Sequence, residues 1–268
     1  VNESLSLDSV AVRGGSASQG GIAYIGSEGG LSVLASSLLQ GKAAEGSAIY
    51  IEHGGALQLN RALVAENTGG TEAVHFAAGA STSLAASLIQ NTTMHANEGY
   101  ALLIQDRVTF NAVTILGNTV GAINFGISDL SPSTTQVDIF NSIISGECTS
   151  VTWPVAAADS PSFNLSDSSC SFPPAQNTIS DVNLLAVVAS DDSCQADASG
   201  ILCPRDKDAD GVYDYFIPRF LPSVTQGTGD YSDIINKGSF GSAISVCPSR
   251  DQRDAERGSA GRCDIGAV

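Results

Sequence analysis

The sequence predicts an all-β protein, a right-handed parallel β-helix with about 25–26 residues per turn, followed by a disulfide-rich and loop-rich C-terminal region. Three observations support this fold class: an apolar segment that recurs at a nearly constant interval, a second apolar segment between successive copies, and an unusual composition. Only 15% of the 268 residues are charged, whereas 28 are glycine. An average soluble domain has about 25% charged residues and about 7% glycine. Helical bundles rarely have such a composition.

Six apolar segments define the repeat. They begin at Leu7, Val33, Leu59, Leu84, Phe110 and Ile139, so their spacings are 26, 26, 25, 26 and 29. Between them lie shorter alternating stretches, such as Ile22–Ile25 and Ile49–Ile51, and alternation is typical of strands. Strands of the same sense at this period stack as a parallel coil, and parallel crossovers are almost always right-handed. A β-sandwich with regularly spaced strands is the alternative.

Asparagine–threonine pairs mark predicted corners of the coil. Asn67, Asn91 and Asn118 are each followed by threonine, close to the end of an apolar segment. Asparagine side chains bond to neighbouring backbone in tight turns. We expect these three side chains to stack as a ladder.

The repeats resemble those of a known group of proteins. Glycine-led segments begin at Gly20, Gly46 and Gly121, and they alternate with an apolar residue three positions before an asparagine, at Val64, Leu88 and Ile115. This pattern resembles the GGA[ILV] and FxxN repeats of bacterial polymorphic outer-membrane proteins, although no repeat here has Phe before xxN. The resemblance implies a right-handed parallel β-helix displayed on a cell surface, with adhesion as its function.

After residue 146 the composition changes. We divide the chain into β-helix repeats over 1–146, a Cys/Ser/Pro-rich loop region over 147–204, and a calcium loop with a capping segment over 205–268. All six cysteines lie in the second half: Cys148, Cys170, Cys194, Cys203, Cys247 and Cys263. None has the CxxC spacing of zinc or redox sites, so we expect disulfides and an oxidising compartment. Pairing of neighbours is the simplest of fifteen connectivities.

A run of alternating aspartates indicates a metal site. Oxygen donors occur at Asp206, Asp208, Asp210 and Asp214, the carbonyl of Val212 adds another, and Gly211 permits the turn. Oxygens at positions 1, 3, 5, 7 and 9 of a loop suit calcium, which is the predicted cofactor. The pattern DxDxDGxxD resembles the short calcium loops of thrombospondin type 3 repeats and bacterial surface proteins. The alternative is a solvated acidic turn.

The last residues carry a second resemblance. The segment CPSRDQRD at Cys247–Asp254, Arg257, and CDIGA at Cys263–Ala267 resemble the CPxxDQRGxxR…CDIGAxE ending of the choice-of-anchor class of secreted bacterial β-helix proteins. Asp254 replaces the usual glycine, and Val268 occupies the variable position that precedes the glutamate of the motif. The resemblance implies a secreted bacterial protein held on the envelope by an anchoring tail.

Charge and hydropathy exclude two classes of partner. The 12 basic and 28 acidic residues give a net charge of −16, so we expect no binding to nucleic acid, whose phosphates need a basic surface. No apolar run approaches the roughly 18 residues of a membrane span, so direct membrane insertion is not expected.

Parallel β-helices also house carbohydrate-active enzymes, whose chemistry needs paired carboxylates on outward positions of successive turns. The positions before the anchors are Ser6, Ser32, Gln58, Ser83, Thr109 and Asp138, and those after them are Asp8, Leu34, Asn60, Ala85, Asn111 and Phe140. Neither row stacks two carboxylates. Glu52-His53 and Asp106-Arg107 form the best remaining constellation, but we expect about 10 Å between them across an intervening turn. We therefore predict no catalytic residue.

Histidines and tyrosines complete the candidate residues. His53, His75 and His95 fall at different places in their repeats, so we expect them to face solvent without a shared metal. Tyr24 and Tyr50 share an outward register and are candidates for contact with a ligand; a cross-strand packing pair is the alternative.

These observations predict an extracellular or bacterial outer-surface protein that is not an enzyme and serves as an adhesion module or structural scaffold, stabilised by calcium and disulfides. The expected partners are a glycan or another ligand on a host or neighbouring cell, and further copies of the chain stacked on the β-helix ends. The alternatives are a β-helix polysaccharide lyase or glycoside hydrolase, and a self-assembling filament or matrix subunit.

Overall fold

The computed structural model describes residues 3–78, 87–126, 137–149, 164–166, 170, 202–205, 215–218 and 252. These residues form three sheets of parallel strands and one two-stranded antiparallel pair, with no α-helix among them. Consecutive strands belong to different sheets, and each strand pairs with its equivalents one turn before and one turn after. This arrangement is a parallel β-helix, so the predicted fold class is confirmed.

Each sheet contains one strand from every turn. The first sheet contains β1 (Ser4–Asp8), β4 (Gly30–Leu34), β7 (Ala56–Asn60), β10 (Ser87–Gln90), β13 (Val108–Asn111) and β16 (Val137–Phe140). The second sheet contains β2 (Ala11–Arg13), β5 (Ser37–Leu39), β8 (Leu63–Ala65), β11 (Thr93–His95), β14 (Thr114–Leu116), β17 (Ile143–Ile144) and β19 (Leu165–Ser166). The third sheet contains β3 (Ala23–Ile25), β6 (Ile49–Ile51), β9 (Glu72–Phe76), β12 (Tyr100–Ile104), β15 (Gly121–Asn124) and β18 (Glu147–Thr149). The antiparallel pair is β20 (Leu202–Arg205) with β21 (Tyr215–Pro218).

A two-residue corner joins the first sheet to the second in each of these turns. Its first residue always has a positive φ: 57° at Ser9, 45° at Ala35, 55° at Arg61, 46° at Asn91, 55° at Ala112 and 51° at Asn141. This conformation costs a non-glycine residue roughly 1–2 kcal/mol. Because the corner recurs six times, the pairing of strands above and below must impose it.

The interior of the coil is a continuous apolar core. Side chains in equivalent positions of successive turns stack on one another, as in the row Ile25, Ile51, Phe76 of the third sheet. All three side chains are buried. Burial of each such side chain stabilises the fold by roughly 1.5–3 kcal/mol.

The fourth turn is offset from the predicted register. Leu59 pairs with Ile89 rather than with Leu84, and Ile89 pairs with Phe110. The separations of equivalent positions are therefore 30 and 21, whereas the predicted separations, 25 and 26, have the same sum. Ten residues, 77–86, connect β9 to β10, whereas three, 105–107, connect β12 to β13. Because a long connection is followed by a short one, the register agrees with the prediction again at Phe110, and the spacing of the apolar segments does not reveal the offset of the fourth turn.

The asparagine ladder consequently contains a different member. The Asn67 side-chain amide donates to Asn97 Oδ1 at 2.8 Å, and the Asn97 amide donates to Asn118 Oδ1 at 2.9 Å. Asn91, predicted to stand between Asn67 and Asn118, instead occupies the corner after β10 with φ 46°. The expected ladder exists, with Asn97 in the place given to Asn91.

The outer face of the second sheet is covered. Leu39, Leu63 and Ala65 are buried there, outside the main core. Strand β21 lies against β5 and β8. Gln252 is 2% exposed, donates to the Ala62 carbonyl at 2.5 Å and accepts from Thr93 Oγ1 at 2.5 Å. The C-terminal part of the chain therefore folds back onto this face.

Candidate functional site

The outer face of the third sheet carries three stacked rings. Tyr24, Tyr50 and His75 are paired in register on β3, β6 and β9. The two tyrosine rings are 5.5 Å apart and nearly parallel, with 6° between their planes. The imidazole of His75 lies 4.7 Å from the Tyr50 ring, tilted by 38°. We call these three residues the Tyr–His ladder.

The register thus confirms that Tyr24 and Tyr50 share an outward row. It also shows them as the cross-strand pair that was the alternative to ligand contact. Both tyrosines are half-buried, whereas His75 is buried. Because each ring is held by its neighbour, little side-chain freedom remains to be lost on binding.

Glu52 fixes the first ring of the ladder. The Tyr24 hydroxyl donates to Glu52 Oε1 in a short contact, and the Ser27 backbone N–H donates to Glu52 Oε2 at 3.0 Å. The hydrogen bond to this carboxylate, followed by burial, raises the pKa of Tyr24 to about 12. The hydroxyl therefore keeps its proton at neutral pH and donates it in the hydrogen bond to Glu52.

Glu72 performs the same role at the other end. His75 Nδ1 and the Gly46 backbone N–H donate to Glu72 Oε1 at 2.8 and 2.9 Å, and the Thr71 hydroxyl donates to Oε2. Burial opposes ionisation of this carboxyl group, yet these hydrogen bonds outweigh it and hold the pKa of Glu72 below its usual value. A buried carboxylate thus orients the imidazole.

Acidic side chains lie next to the Tyr–His ladder. Burial, followed by the charges of Glu45 and Glu52, raises the pKa of Tyr50. Glu45 is exposed and accepts from the Gln19 side chain at 2.7 Å. Aromatic ring edges bordered by hydroxyl and carboxylate groups suit a ligand with both apolar C–H surface and hydroxyl or amino groups.

The second candidate constellation is closer together than expected. His53 Nδ1 lies 3.0 Å from Asp106 Oδ2, and both side chains are largely buried, with 15% and 16% exposed. The expectation that the intervening turn keeps these side chains out of contact was wrong. His53 and Asp106 do lie two turns apart, but Ala78 occupies the position between them, and its small side chain lets the longer ones meet across it.

The histidines were also expected to face solvent, and this was wrong for all three, since the His53 side chain is only 15% exposed. His75 is 8% exposed. His95 is half-buried on β11, where its Nδ1 lies 3.0 Å from the Leu116 carbonyl, and burial lowers its pKa. Together with His53, they occupy three separate places. Within the described residues, no three His, Cys, Asp or Glu side chains are grouped as metal ligands.

The outward rows of the first sheet change with the corrected register. In the first row, Leu88 takes the place predicted for Ser83, between Gln58 and Thr109. In the second row, Gln90 takes the place predicted for Ala85, between Asn60 and Asn111. Each row contains one carboxylate, Asp138 in the first and Asp8 in the second. Neither row forms a carboxylate pair, as predicted.

The predicted calcium ligands Asp206, Asp208, Asp210, Val212 and Asp214 lie outside the described residues. The strands at either side are described, however, and Arg205 pairs with Tyr215. These two paired residues flank residues 206–214 in the sequence.

One of the predicted disulfides is described. Cys148 and Cys170 are bonded, and the bridge buries Cys170 at the end of the main core. Cys194, Cys247 and Cys263 lie outside the described residues, and Cys203 lies on β20, whose side chains are not described. Strands β18 and β19 extend the third and second sheets beyond residue 146.

Sequence reasoning missed the role of Glu72 and of Gln252. An aligned row of Tyr24, Tyr50 and His75 could have been read from the repeat, but no local pattern marks the carboxylate that holds the imidazole. Comparison of the chain with protein-family models, curated proteins and solved structures gives no match. No helix capable of crossing a membrane is found in the described part of the chain. Fold and site together define a parallel β-helix protein with an aromatic, acidic outer face.

Proposed function

We propose that this β-helix is an extracellular adhesion module that binds a glycan on the outer face of its third sheet. The Tyr–His ladder is the observation that carries the proposal. Its rings are fixed by stacking and by two carboxylates, so a sugar that packs on them meets a preorganised surface. The second sheet, by contrast, has its outer face covered by the chain's own C-terminal part.

The negative charge of the protein limits the classes of glycan that it can bind. At a net charge of −16, the surface repels polyanions such as uronate polymers. Glu45 and Glu52 add negative charge beside the tyrosines. The ligand class that fits is a neutral or amino-sugar glycan, whose hydroxyl and ammonium groups can donate to carboxylates.

Location outside the cell rests on three supports. The Cys148–Cys170 disulfide is typical of oxidising compartments. The repeats resemble those of polymorphic outer-membrane proteins, and the C-terminal motifs resemble the choice-of-anchor ending. In this proposal a bacterial envelope displays the β-helix.

Calcium is the proposed stabilising ion. In the sequence, the aspartates of the predicted loop lie between Arg205 and Tyr215, which are paired on neighbouring strands. Binding a cation there would relieve their mutual repulsion. Because β21 lies against β5 and β8, ion binding would also stabilise the hairpin that covers the second sheet.

A glycan array followed by calorimetric titration tests the binding function. We expect neutral or amino-sugar glycans to bind, and Tyr24→Ala to weaken binding about tenfold, since an aromatic contact is worth about 1–1.5 kcal/mol. Gln58→Ala, at an exposed position of the first sheet, is the matched control and should bind as the wild type does. Absence of any bound glycan, or equal affinity of Tyr24→Ala and wild type, would overturn the proposal.

A further inference from the structure

Glu72 fixes the tautomer of His75 at the buried end of the Tyr–His ladder. His75 Nδ1 lies 2.8 Å from Glu72 Oε1. The hydrogen bonds that Glu72 accepts outweigh its burial and hold its pKa below the usual value, so this carboxyl group is ionised at neutral pH. An ionised carboxylate can only accept hydrogen bonds, and the proton of a neutral His75 ring is therefore on Nδ1.

The other ring nitrogen of His75, Nε2, is consequently an acceptor. A neutral imidazole donates from one nitrogen and accepts at the other. Nε2 has no hydrogen-bond partner among the described residues. It is not one of the described buried atoms that lack a partner, so it contacts solvent, although the side chain as a whole is only 11% exposed. The ladder thus presents one oriented acceptor to a ligand.

The groups that face His75 from the neighbouring strands are neutral at neutral pH. They are Tyr50 on β6 and Leu103 on β12, which are paired with His75 in register. Leucine does not ionise, and burial followed by the charges of nearby carboxylates raises the pKa of Tyr50. Among the described residues, the ionised group in contact with the ring is Glu72. A ligand at Nε2 therefore meets a neutral acceptor in a negatively charged surrounding.

We propose that His75 Nε2 accepts a hydrogen bond from the ammonium group of an amino sugar, so that the ladder selects glycans with free amino groups over neutral glycans. This inference rests on the proposed glycan binding and narrows its ligand class. An ammonium group donates to Nε2 and is also attracted by the carboxylates, whereas a hydroxyl or an N-acetyl group carries no charge.

The same contact makes the selection depend on pH. Protonation of the His75 imidazole removes the acceptor and places a positive charge against the ammonium group, so the preference for amino sugars is lost in acid. A sugar hydroxyl can accept a hydrogen bond as well as donate one, so a neutral glycan can still bond to the protonated ring.

Calorimetric titration with three tetramers of β-1,4-linked sugars tests the selection. The tetramers consist of glucosamine, N-acetylglucosamine or glucose. At neutral pH we expect the glucosamine tetramer to bind at least about tenfold more tightly than the other two. In His75→Asn the asparagine amide can still donate to Glu72, but no acceptor remains at the place of Nε2. This variant should lose the preference, and so should His75→Phe, which keeps an aromatic ring in the ladder.

Titrations between neutral pH and about pH 5 test the role of the imidazole itself. Dividing the affinity of wild type for the glucosamine tetramer by that of His75→Asn cancels the protonation of the ligand. This ratio should fall from about tenfold to about one as the pH is lowered. His95→Gln is the matched control, because His95 lies on the second sheet, and it should keep the pH dependence of the wild type. Melting temperatures confirm that each variant is folded.

The outcomes separate this inference from glycan binding as such. Equal affinity for the three tetramers, wild-type affinity in folded His75→Asn, or a ratio that does not change with pH would each overturn the role of His75. So would failure of the glucosamine tetramer to bind when other glycans do. If glycan binding is still weakened in Tyr24→Ala, the ladder remains a glycan site, whereas absence of binding by every glycan overturns both proposals.

Discussion

Truncation of Asn97 removes the centre of the asparagine ladder. Its side chain is fully buried. The side-chain amide donates to Asn118 Oδ1 at 2.9 Å and to the Val64 carbonyl at 3.0 Å. Its Oδ1 accepts from the Asn67 amide at 2.8 Å and from the Asn67 backbone N–H at 3.2 Å. Asn97→Ala therefore breaks four hydrogen bonds that connect three turns.

The expected loss follows from those four bonds. A buried hydrogen bond contributes about 1 kcal/mol net, and a group left unpaired in the interior costs about 1–3 kcal/mol. We expect Asn97→Ala to lower the free energy of unfolding by about 4 kcal/mol. In a domain of this size that corresponds to a fall of about 10 °C in Tm.

Denaturant unfolding followed by circular dichroism measures the change directly. Asn60→Ala is the matched control, because Asn60 is half-buried on the outer face of the first sheet and its Oδ1 has no hydrogen-bond partner among the described residues. We expect the control to lose less than about 1 kcal/mol. A loss in Asn97→Ala no larger than that of Asn60→Ala would refute the view that the ladder holds the turns together.

Three further predictions concern the disulfide, the buried carboxylate and the ion. Replacing both Cys148 and Cys170 by serine should lower stability by about 3 kcal/mol, because the bridge closes a sequence separation of 22 residues; an unchanged Tm would contradict this. The lowered pKa of Glu72 contributes stability above the ordinary carboxyl pKa that is lost as pH falls through the lowered value. Glu72→Gln should therefore have a flatter Tm profile in acid, and identical profiles would argue against the His75 pairing. A chelator should lower the Tm of wild type but not of Asp208→Ala, and no effect on wild type would exclude the calcium loop.

Much of the fold could be predicted because the apolar residues that fill the core recur at a constant spacing in the first three turns. Leu7, Val33 and Leu59 are evenly spaced along the chain, and each fills the same inward position. The fourth turn could not be placed, because Leu84 and Ile89 both lie in the same stretch of apolar and small residues, LAASLI. Only the lengths of the connections before β10 and before β13 distinguish the two alignments, and a connection contributes little to an apolar pattern.

The candidate site was predicted in part for a similar reason. An alternating strand indicates that Tyr24 and Tyr50 face outward, since a strand has a period of two. The contact between His53 and Asp106 depends instead on the small side chain of Ala78, in the turn that separates them. Contacts that reach across a turn arise from side-chain length and register together, and neither is visible in a local motif.

The sequences of two strands of the second sheet indicate that its outer face is covered. Strands β5 and β8 read Ser-Leu-Leu and Leu-Val-Ala, with apolar residues on both faces rather than alternation. Strands buried on both faces typically have such continuous runs. Leu39 and Leu63 thus pointed to a covering segment, although not to Gln252.

Hydrogen exchange of the protein with and without its best glycan tests the central claim, that the outer face of the third sheet is the binding surface. The account predicts that bound glycan protects β3, β6 and the connection containing Ser27, and leaves β4 and β7 of the first sheet unchanged. Protection confined to the first sheet, with none on β3 or β6, would contradict it.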